Sequence, residues 1–129
     1  MADQIAQLEE ADIHVYQGVD AMIQFEVLGE GDAAIDVTGW VNLQFTVRTE
    51  VGATGAPPLH VTTQTQFDKT GNVITLNLSD TDTNLSVSAD HSYRAPYQDY
   101  RYDMLAEDTE GRTWLLSHGF FRVYQRVAP

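Results

Sequence analysis

Residues 41–48 read Val-Asn-Leu-Gln-Phe-Thr-Val-Arg, so that Val41, Leu43, Phe45 and Val47 alternate with Asn42, Gln44, Thr46 and Arg48. Successive side chains of a β-strand point to opposite faces, and this alternation builds one apolar and one wet face. Residues 21–28 repeat it: Ala21, Ile23, Phe25 and Val27 alternate with Met22, Gln24 and Glu26.

Working outward, the remaining chain reads as short strands punctuated by turn residues. Ile13–Tyr16 is a first strand ended by Gln17-Gly18, and the 21–28 strand stops at Gly29-Glu30-Gly31-Asp32. After a brief extended piece at 34–37, Asp36-Val37-Thr38-Gly39 turns the chain into the strand 40–48. Residues 50–58 form an exposed loop with two glycines and two prolines, and 59–65 are β-rich. Asp68-Lys69-Thr70-Gly71 is predicted as a hairpin turn with a left-handed glycine, followed by a strand 73–78 with Ile74, Leu76 and Leu78 inward. Ser79 to Thr83 supply helix N-cap residues, so one helical turn is expected over about 80–85, and 86–96 is a loose connection. A strand over 97–106 carries Tyr100, Tyr102, Met104 and Ala106 at alternate positions; Asp108-Thr109-Glu110-Gly111 is a second hairpin turn. Strands over 114–116 and 120–127 close the chain. The spacing predicts an all-β fold: a single antiparallel β-sandwich, immunoglobulin-like, of about seven or eight short strands. The organisation expected is an N-terminal arm, 1–12, and a sandwich domain, 13–129. Ile5 and Leu8 in the arm stand at helical spacing, on a segment too short for an isolated helix.

A chain of 129 residues, 43% hydrophobic, is the size of one domain and can bury a core without covalent staples. The absence of cysteine removes disulfides, thiolate zinc sites and cysteine nucleophiles together, and fits an intracellularly made protein. There is no long apolar run and the N-terminus is acidic, which argues against a secretory leader or a membrane span. Nineteen acids against seven bases give a net charge of -12, the wrong sign for a phosphate-backbone binder. Neither nucleic acid nor membrane is therefore an expected partner. The charge is also uneven: 1–12 holds Asp3, Glu9, Glu10 and Asp12 with no base, while 112–129 holds Arg112, Arg122 and Arg126 with no acid. Such ends can pair within one subunit or between neighbours.

Catalytic signals are weak. His14, His60, His91 and His118 lack any ligand spacing, and Asp80 with Asp82 lacks the glycine and glutamate of a calcium loop. No serine sits in a nucleophile elbow, no glycine loop fits a phosphate, and a dyad such as Asp36 with Asp103 is no more than chance among 19 acids. A non-enzymatic protein with no cofactor and no metal is expected. Tyr93, Tyr97, Tyr100 and Tyr102 cluster with Arg94 and Arg101, the residue types that anchor interfaces. Tyr102 reads as core; Tyr97, Tyr100 and Arg101 are candidate surface-recognition residues, together with the 50–58 loop. Candidate assembly contacts are Ile5, Leu8, Glu9 and Glu10 in the arm and Arg122 and Arg126 near the C-terminus. Trp40 and Trp114 are read as packing residues near the sheet ends.

Three pieces taken together carry a resemblance. Gln17-Gly18 precedes the strand 21–28, and Ile35-Asp36-Val37-Thr38-Gly39-Trp40 leads into a strand ending Val47-Arg48. Gly71-Asn72-Val73-Ile74-Thr75-Leu76-Asn77-Leu78-Ser79 then precedes Thr83 and Leu85, with Tyr102-Asp103-Met104 before Gly111, and Leu115-Leu116 and Gly119 before the last strand. Over about 13–127 this order resembles small β-sandwich modules of tailed-bacteriophage structural proteins, such as the N-terminal domain of baseplate upper proteins. The matched residues are turn and core chemistry, so the resemblance carries over no site residue. Gly18-Val19-Asp20 lengthens the simpler Gly-Asp step of the pattern. In the baseplate proteins the module is followed by a long fibre or receptor-binding segment, whereas this sequence ends at Pro129. The resemblance therefore implies a virion structural protein made in the host cytoplasm, an adaptor or attachment module in the tail, baseplate or fibre region. Its implied partners are other virion proteins and copies of itself. A capsid decoration protein, or a carbohydrate- or receptor-binding module, are the alternatives.

Overall fold

The computed structural model describes residues 9–50, 52, 54–87 and 97–125. Among the described residues nine strands follow one another: β1 (Glu9–Glu10), β2 (Ile13–Tyr16), β3 (Ala21–Glu26), β4 (Val41–Arg48), β5 (Leu59–Val61), β6 (Phe67–Thr70), β7 (Val73–Leu78), β8 (Tyr97–Glu107) and β9 (Thr113–Tyr124). The large sheet runs β5-β4-β8-β9, with β1 and β2 both seated along the far edge of β9; the small sheet runs β3-β7-β6. This is the β-sandwich expected, with strands crossing between two sheets as in immunoglobulin domains.

Three details differ from the sequence reading. First, β1 and β2 join β9 in parallel, although the sandwich was expected to be antiparallel. The reason is connectivity: no hairpin links these strands to β9, and the rest of the domain is the crossover between them. Glu9 and Glu10 thus already belong to the sheet, and the last residues of the expected arm 1–12 are part of the sandwich. Second, Asp68, Lys69 and Thr70 lie in edge strand β6, not in a turn. The hairpin loop is Gly71-Asn72 between the paired Thr70 and Val73, with Gly71 at φ 58°. Positive φ at the first central position alone is the II′ pattern that suits a two-residue hairpin.

Third, the last two expected strands are one. Met104 pairs with Ser117 but Leu105 pairs with Leu115, so Leu116 is an extra residue in β9. Leu116 and Ser117 are consecutively buried. The bulge switches the inward parity from Trp114 and Leu116 to Ser117, Gly119, Phe121 and Val123, which hid the strand's continuity. The single turn expected near 80–85 is present. The Thr83 amide donates to the Ser79 carbonyl at 3.1 Å. Ser79 Oγ accepts the Asp82 amide at 3.2 Å while Asp82 Oδ2 accepts the Ser79 amide at 3.0 Å. This reciprocal box satisfies the donors of one turn. Buried Thr83 then fastens it to the connection before β3, its hydroxyl donating to the Val19 carbonyl at 2.8 Å.

Between the sheets, Phe45 of β4 is fully buried and touches one ring of the facing sheet and two of its own. Its centroid lies 6.2 Å from Phe25 of β3, 5.4 Å from Tyr102 and 5.8 Å from Phe121. Tyr100, near the start of β8, is only 5% exposed, and its hydroxyl donates to the Ser86 carbonyl at 2.7 Å. That bond ties the strand to the connection preceding it, much as a tyrosine corner does. Where β5 ends too early to pair with Leu43, the Gln64 amide substitutes for a strand. It donates to the Leu43 carbonyl at 2.9 Å and accepts the Leu43 amide at 3.0 Å.

The β8–β9 loop is built on Asp108, which is 6% exposed. Its Oδ1 accepts the amides of Glu110 and Arg112, both at 2.9 Å, and its Oδ2 accepts Trp114 Nε1 at 2.9 Å and Arg112 Nε at 3.0 Å. The Trp114 bond above all, helped by the two amides and Arg112 against the opposing effect of burial, holds the carboxyl down to about 2 from 3.8.

Truncating Phe45 to alanine is expected to cost about 3–5 kcal/mol. The exposed Phe120→Ala is expected to cost about 0.5 kcal/mol or less; urea titrations of both variants check the contrast. Because the folded carboxyl of Asp108 is depressed, its stabilisation is complete above the ordinary carboxylate value and is lost as pH falls through about 2. Asp108→Asn should lower the urea midpoint at neutral pH and flatten the loss of stability in acid. Parallel acid-unfolding curves for the two proteins would contradict this.

Candidate interaction surface

The outer face of the large sheet gathers side chains from five strands into cross-strand rungs. Tyr97 of β8 stands opposite Tyr124 of β9, which stands opposite Tyr16 of β2. The next rung is Asp99, Arg122 and His14; the one after is Arg48, Arg101 and Phe120. His60, Thr46, Asp103 and His118 follow, and then Gln44, Leu105 and Leu115. Three of the most exposed large hydrophobics lie here: Tyr16 at 59%, Phe120 at 42% and Leu115 at 40%.

The tyrosine end is organised around Arg122. Its guanidinium donates to both oxygens of Asp99, at 2.7 and 3.0 Å, and lies 4.0 Å over the Tyr97 ring. Hydrogen bonding to Asp99 first, and to Tyr124 second, raises its pKa further above the ordinary arginine value. Tyr124 packs against Tyr16 and Tyr97 at 5.6 and 6.0 Å, stacks on His14 at 5.7 Å, and shares a 2.9 Å hydrogen bond between its hydroxyl and His14 Nδ1. A bidentate, ring-stacked arginine of this kind presents a fixed rather than a mobile surface.

The middle of the face is cationic. Arg48 and Arg101 are directly opposite each other across β4 and β8, a like-charge pairing that works against the sheet. Arg48 Nη1 donates to the Gly55 carbonyl at 3.0 Å, and Arg101 lies 4.3 Å over the Phe120 ring. Asp103 is the carboxylate between them and the histidines. Burial raises its pKa, and the charges of Arg48, His60 and His118 oppose that rise.

The sequence-predicted residues divide clearly. Tyr97, Arg101 and Arg122 are on this face. Tyr100 is not: as the next residue along β8 from Asp99 it points inward, and its expected role in surface recognition is withdrawn. Arg122 bonds to Asp99 and Arg112 to Asp108 and Glu110, so these arginines pair within the β8–β9 region. The acid Asp12 accepts the Phe120 amide at 3.2 Å rather than an arginine. Ile5, Leu8, Arg126, Tyr93, Arg94 and His91 lie outside the described residues. Asp36, once a possible dyad partner of Asp103, closes its own turn; the Thr38 amide and hydroxyl both donate to it and lower its pKa. Tyr16, Tyr124, Phe120, His14 and Arg48 belong to the face without having been singled out. The signal available for two of them, Phe120 and Tyr124, was even-numbered parity after the Leu116 bulge, which the sequence does not display.

Glu9 and Glu10 are held to the same subunit by backbone pairing with Ser117 and His118. The Ala11 amide donates to the His118 carbonyl at 3.0 Å, and the Tyr102 hydroxyl donates to the Ala11 carbonyl at 2.6 Å. Since a carbonyl only accepts, the 2.8 Å contact between Tyr102 and buried Ser117 is a donation by the serine. Gly119 makes this approach possible: at φ 155° a Cβ would lie 2.3 Å from the Ala11 oxygen.

No family model matches the chain, and no curated protein is similar to it. Among solved structures, that of murine CRIg aligns over 89% of this chain and 92% of its own, at 11% identity and a TM-score of 0.39. A likeness at that level carries no argument about function. By its own strand order the chain is an immunoglobulin-type β-sandwich whose aromatic and cationic face lies on one sheet.

Gly119→Ala is expected to displace the Glu9–Asp12 segment, at a cost of about 1–3 kcal/mol for forced overpacking. Hydrogen exchange should show the Ala11 amide losing protection while amides of β4 and β7 keep theirs.

Proposed function

We propose that the protein is a non-enzymatic structural subunit of a tailed-bacteriophage particle, an adaptor or attachment module of the tail, baseplate or fibre region. It docks through the outer face of its large sheet. The observation that carries this reading is the run of exposed tyrosines, Phe120 and opposed arginines on that face, fixed in place by Arg122 and Asp99. Aromatic and arginine side chains on a rigid support are the groups that anchor protein interfaces. The resemblance of 13–127 to phage β-sandwich modules supplies the particle.

The face is favoured over the arm as the docking device. An edge strand recruits partners through unpaired amides and carbonyls, but the far edge of β9 is already occupied by β1 and β2. The opposite edge, β5, has only three residues. Face-on packing leaves the arm's last residues to their place in the fold. Capsid decoration would use the same face at another location.

Labelled antibody on intact particles of the encoding virus is expected to mark the tail end. Phe120→Asp, at an exposed position, should keep its thermal midpoint and lose at least about tenfold in particle incorporation, the loss of an interface anchor. Particles lacking the protein altogether would refute the assignment, and label on the capsid shell would replace tail attachment by decoration.

A further inference from the structure

The large sheet has no long free edge, but the small sheet has one. Strand β3 ends the order β3-β7-β6, and among the described residues nothing pairs with its other side. Which of its backbone groups face that side follows from the register. The Val27 amide donates to the Asn72 carbonyl at 2.8 Å, and the same register continues as Phe25 with Ile74, Ile23 with Leu76 and Ala21 with Leu78. Hydrogen-bonded pairs alternate along an antiparallel ladder, so these residues bond to β7. The amides and carbonyls of Met22, Gln24 and Glu26 therefore point out from the edge, without a partner among the described residues.

The other edges are short, blunted or covered. Strand β5 has three residues and gives way to the Gln64 side chain. Strand β6 has four, with Lys69 among them, and β9 is covered by β1 and β2. By contrast β3 has six residues in unbroken register, without proline, lysine or a bulge, the devices that keep edge strands from pairing. The side of the sandwich next to this edge is also incompletely sealed. Only Gln17 to Asp20 separate β2 from β3, so the two strands border the same side from opposite sheets. Ile13 of β2 and Ala21 and Ile23 of β3 pack against the core there and are only partly buried.

We infer that β3 accepts an extended segment of another polypeptide as a further strand, with apolar side chains turned in and basic ones turned out. The inward side chains cover Ala21 and Ile23. The outward ones meet Met22, 68% exposed, between the exposed acids Asp20 and Glu26. Asp82 lines the same hollow as Asp20 and Met22, and Asp68 stands in the rung of Gln24 and Thr75. Among the described residues no base stands in the outward rungs of this sheet, and Lys69 turns its ammonium to the Trp40 carbonyl. A lysine opposite Met22 lays its stem on the thioether and carries its charge to Asp20. Neither this copy's N-terminal strands nor a second β3 fits as well. Glu9–Glu10 and Ile13–Tyr16 are committed to β9. Two β3 edges laid antiparallel, Gln24 opposite Gln24, set each Glu26 diagonal to the other's Asp20, a like-charge contact at both ends.

This contact lies on the sheet away from the attachment face, and it stands or falls apart from that reading. The test uses the purified chain and a synthetic peptide matched to β3 in length, alternating valine with lysine. Fluorescence anisotropy of the labelled peptide reads binding, and hydrogen exchange reads its place. The peptide is expected to protect the Met22, Gln24 and Glu26 amides. It should bind at least about tenfold tighter than the same peptide with glutamate for lysine. Gln24→Pro removes an outward amide and leaves the β7 ladder intact, at a position where an edge strand admits proline. That variant should keep a near-native circular dichroism spectrum and bind at least about tenfold more weakly. Should it fail to fold, Asp20→Lys with Glu26→Lys, both exposed, is expected to reverse the preference toward the glutamate peptide. A lysine peptide that does not bind, or binds while protection appears elsewhere, overturns the inference. So does equal binding of the two peptides, normal binding by a folded Gln24→Pro variant, or a double variant that keeps the lysine preference. A chain that dimerises through β3, with those amides protected before peptide is added, overturns it in favour of a second copy as occupant.

Discussion

Phe45 is in contact with a ring from β3, one from β8 and one from β9, and no covalent bond joins the two sheets. Immunoglobulin domains commonly fasten their sheets with a disulfide packed on a tryptophan; a chain without cysteine has to use packing alone. Of the three aromatic contacts, only Phe45–Phe25 crosses between the sheets. At about 0.5–1.5 kcal/mol beyond area burial it is smaller than the about 2–5 kcal/mol that a native disulfide supplies to a small domain, so the apolar area buried between the sheets carries the remainder. The Phe45 cluster is the centre of that buried area. It also fixes β8 and β9 relative to β4, and those three strands supply most of the outer face.

Strand β9 joins the core to the surface. Its bulge at Leu116 reverses parity, so that Phe121 and Val123 enter the core while Phe120, Arg122 and Tyr124 emerge on the sheet face. Gly119, without a side chain, lets Ala11 approach and lets the N-terminal strands cover the free edge. The same strand thus packs the interior, protects its own edge and presents the exposed ridge. Changes along it act on stability or on the surface according to residue parity.

The outer face of the large sheet concentrates charge of both signs. Three of the chain's few bases stand in adjoining rungs, with Asp99, Asp103 and Glu107 on the same face. Arg122 is neutralised by Asp99 inside the face; Arg48 and Arg101 oppose each other across the sheet.

Much of the fold was legible in the sequence. Alternation located β3, β4, β7 and β8, glycine and aspartate located the turns near 71 and 111, and Tyr102 was recognised as core. Phe67–Thr70 was missed because an edge strand tolerates polar residues that read as a turn, and the continuity of β9 was missed because a bulge interrupts period-two alternation. Of the face, Tyr97, Arg101 and Arg122 were found by residue type, while Tyr100 was misplaced because strand parity was not fixed at that point. Local alternation, then, determined which side chains are buried, since burial of one face leaves a periodic mark on the chain. Only the tertiary structure decided which exposed side chains meet: His14 and Tyr124 are hydrogen-bonded across 110 residues of sequence. Strand register brings such residues together, and polar positions facing solvent carry no periodic signal of their neighbours.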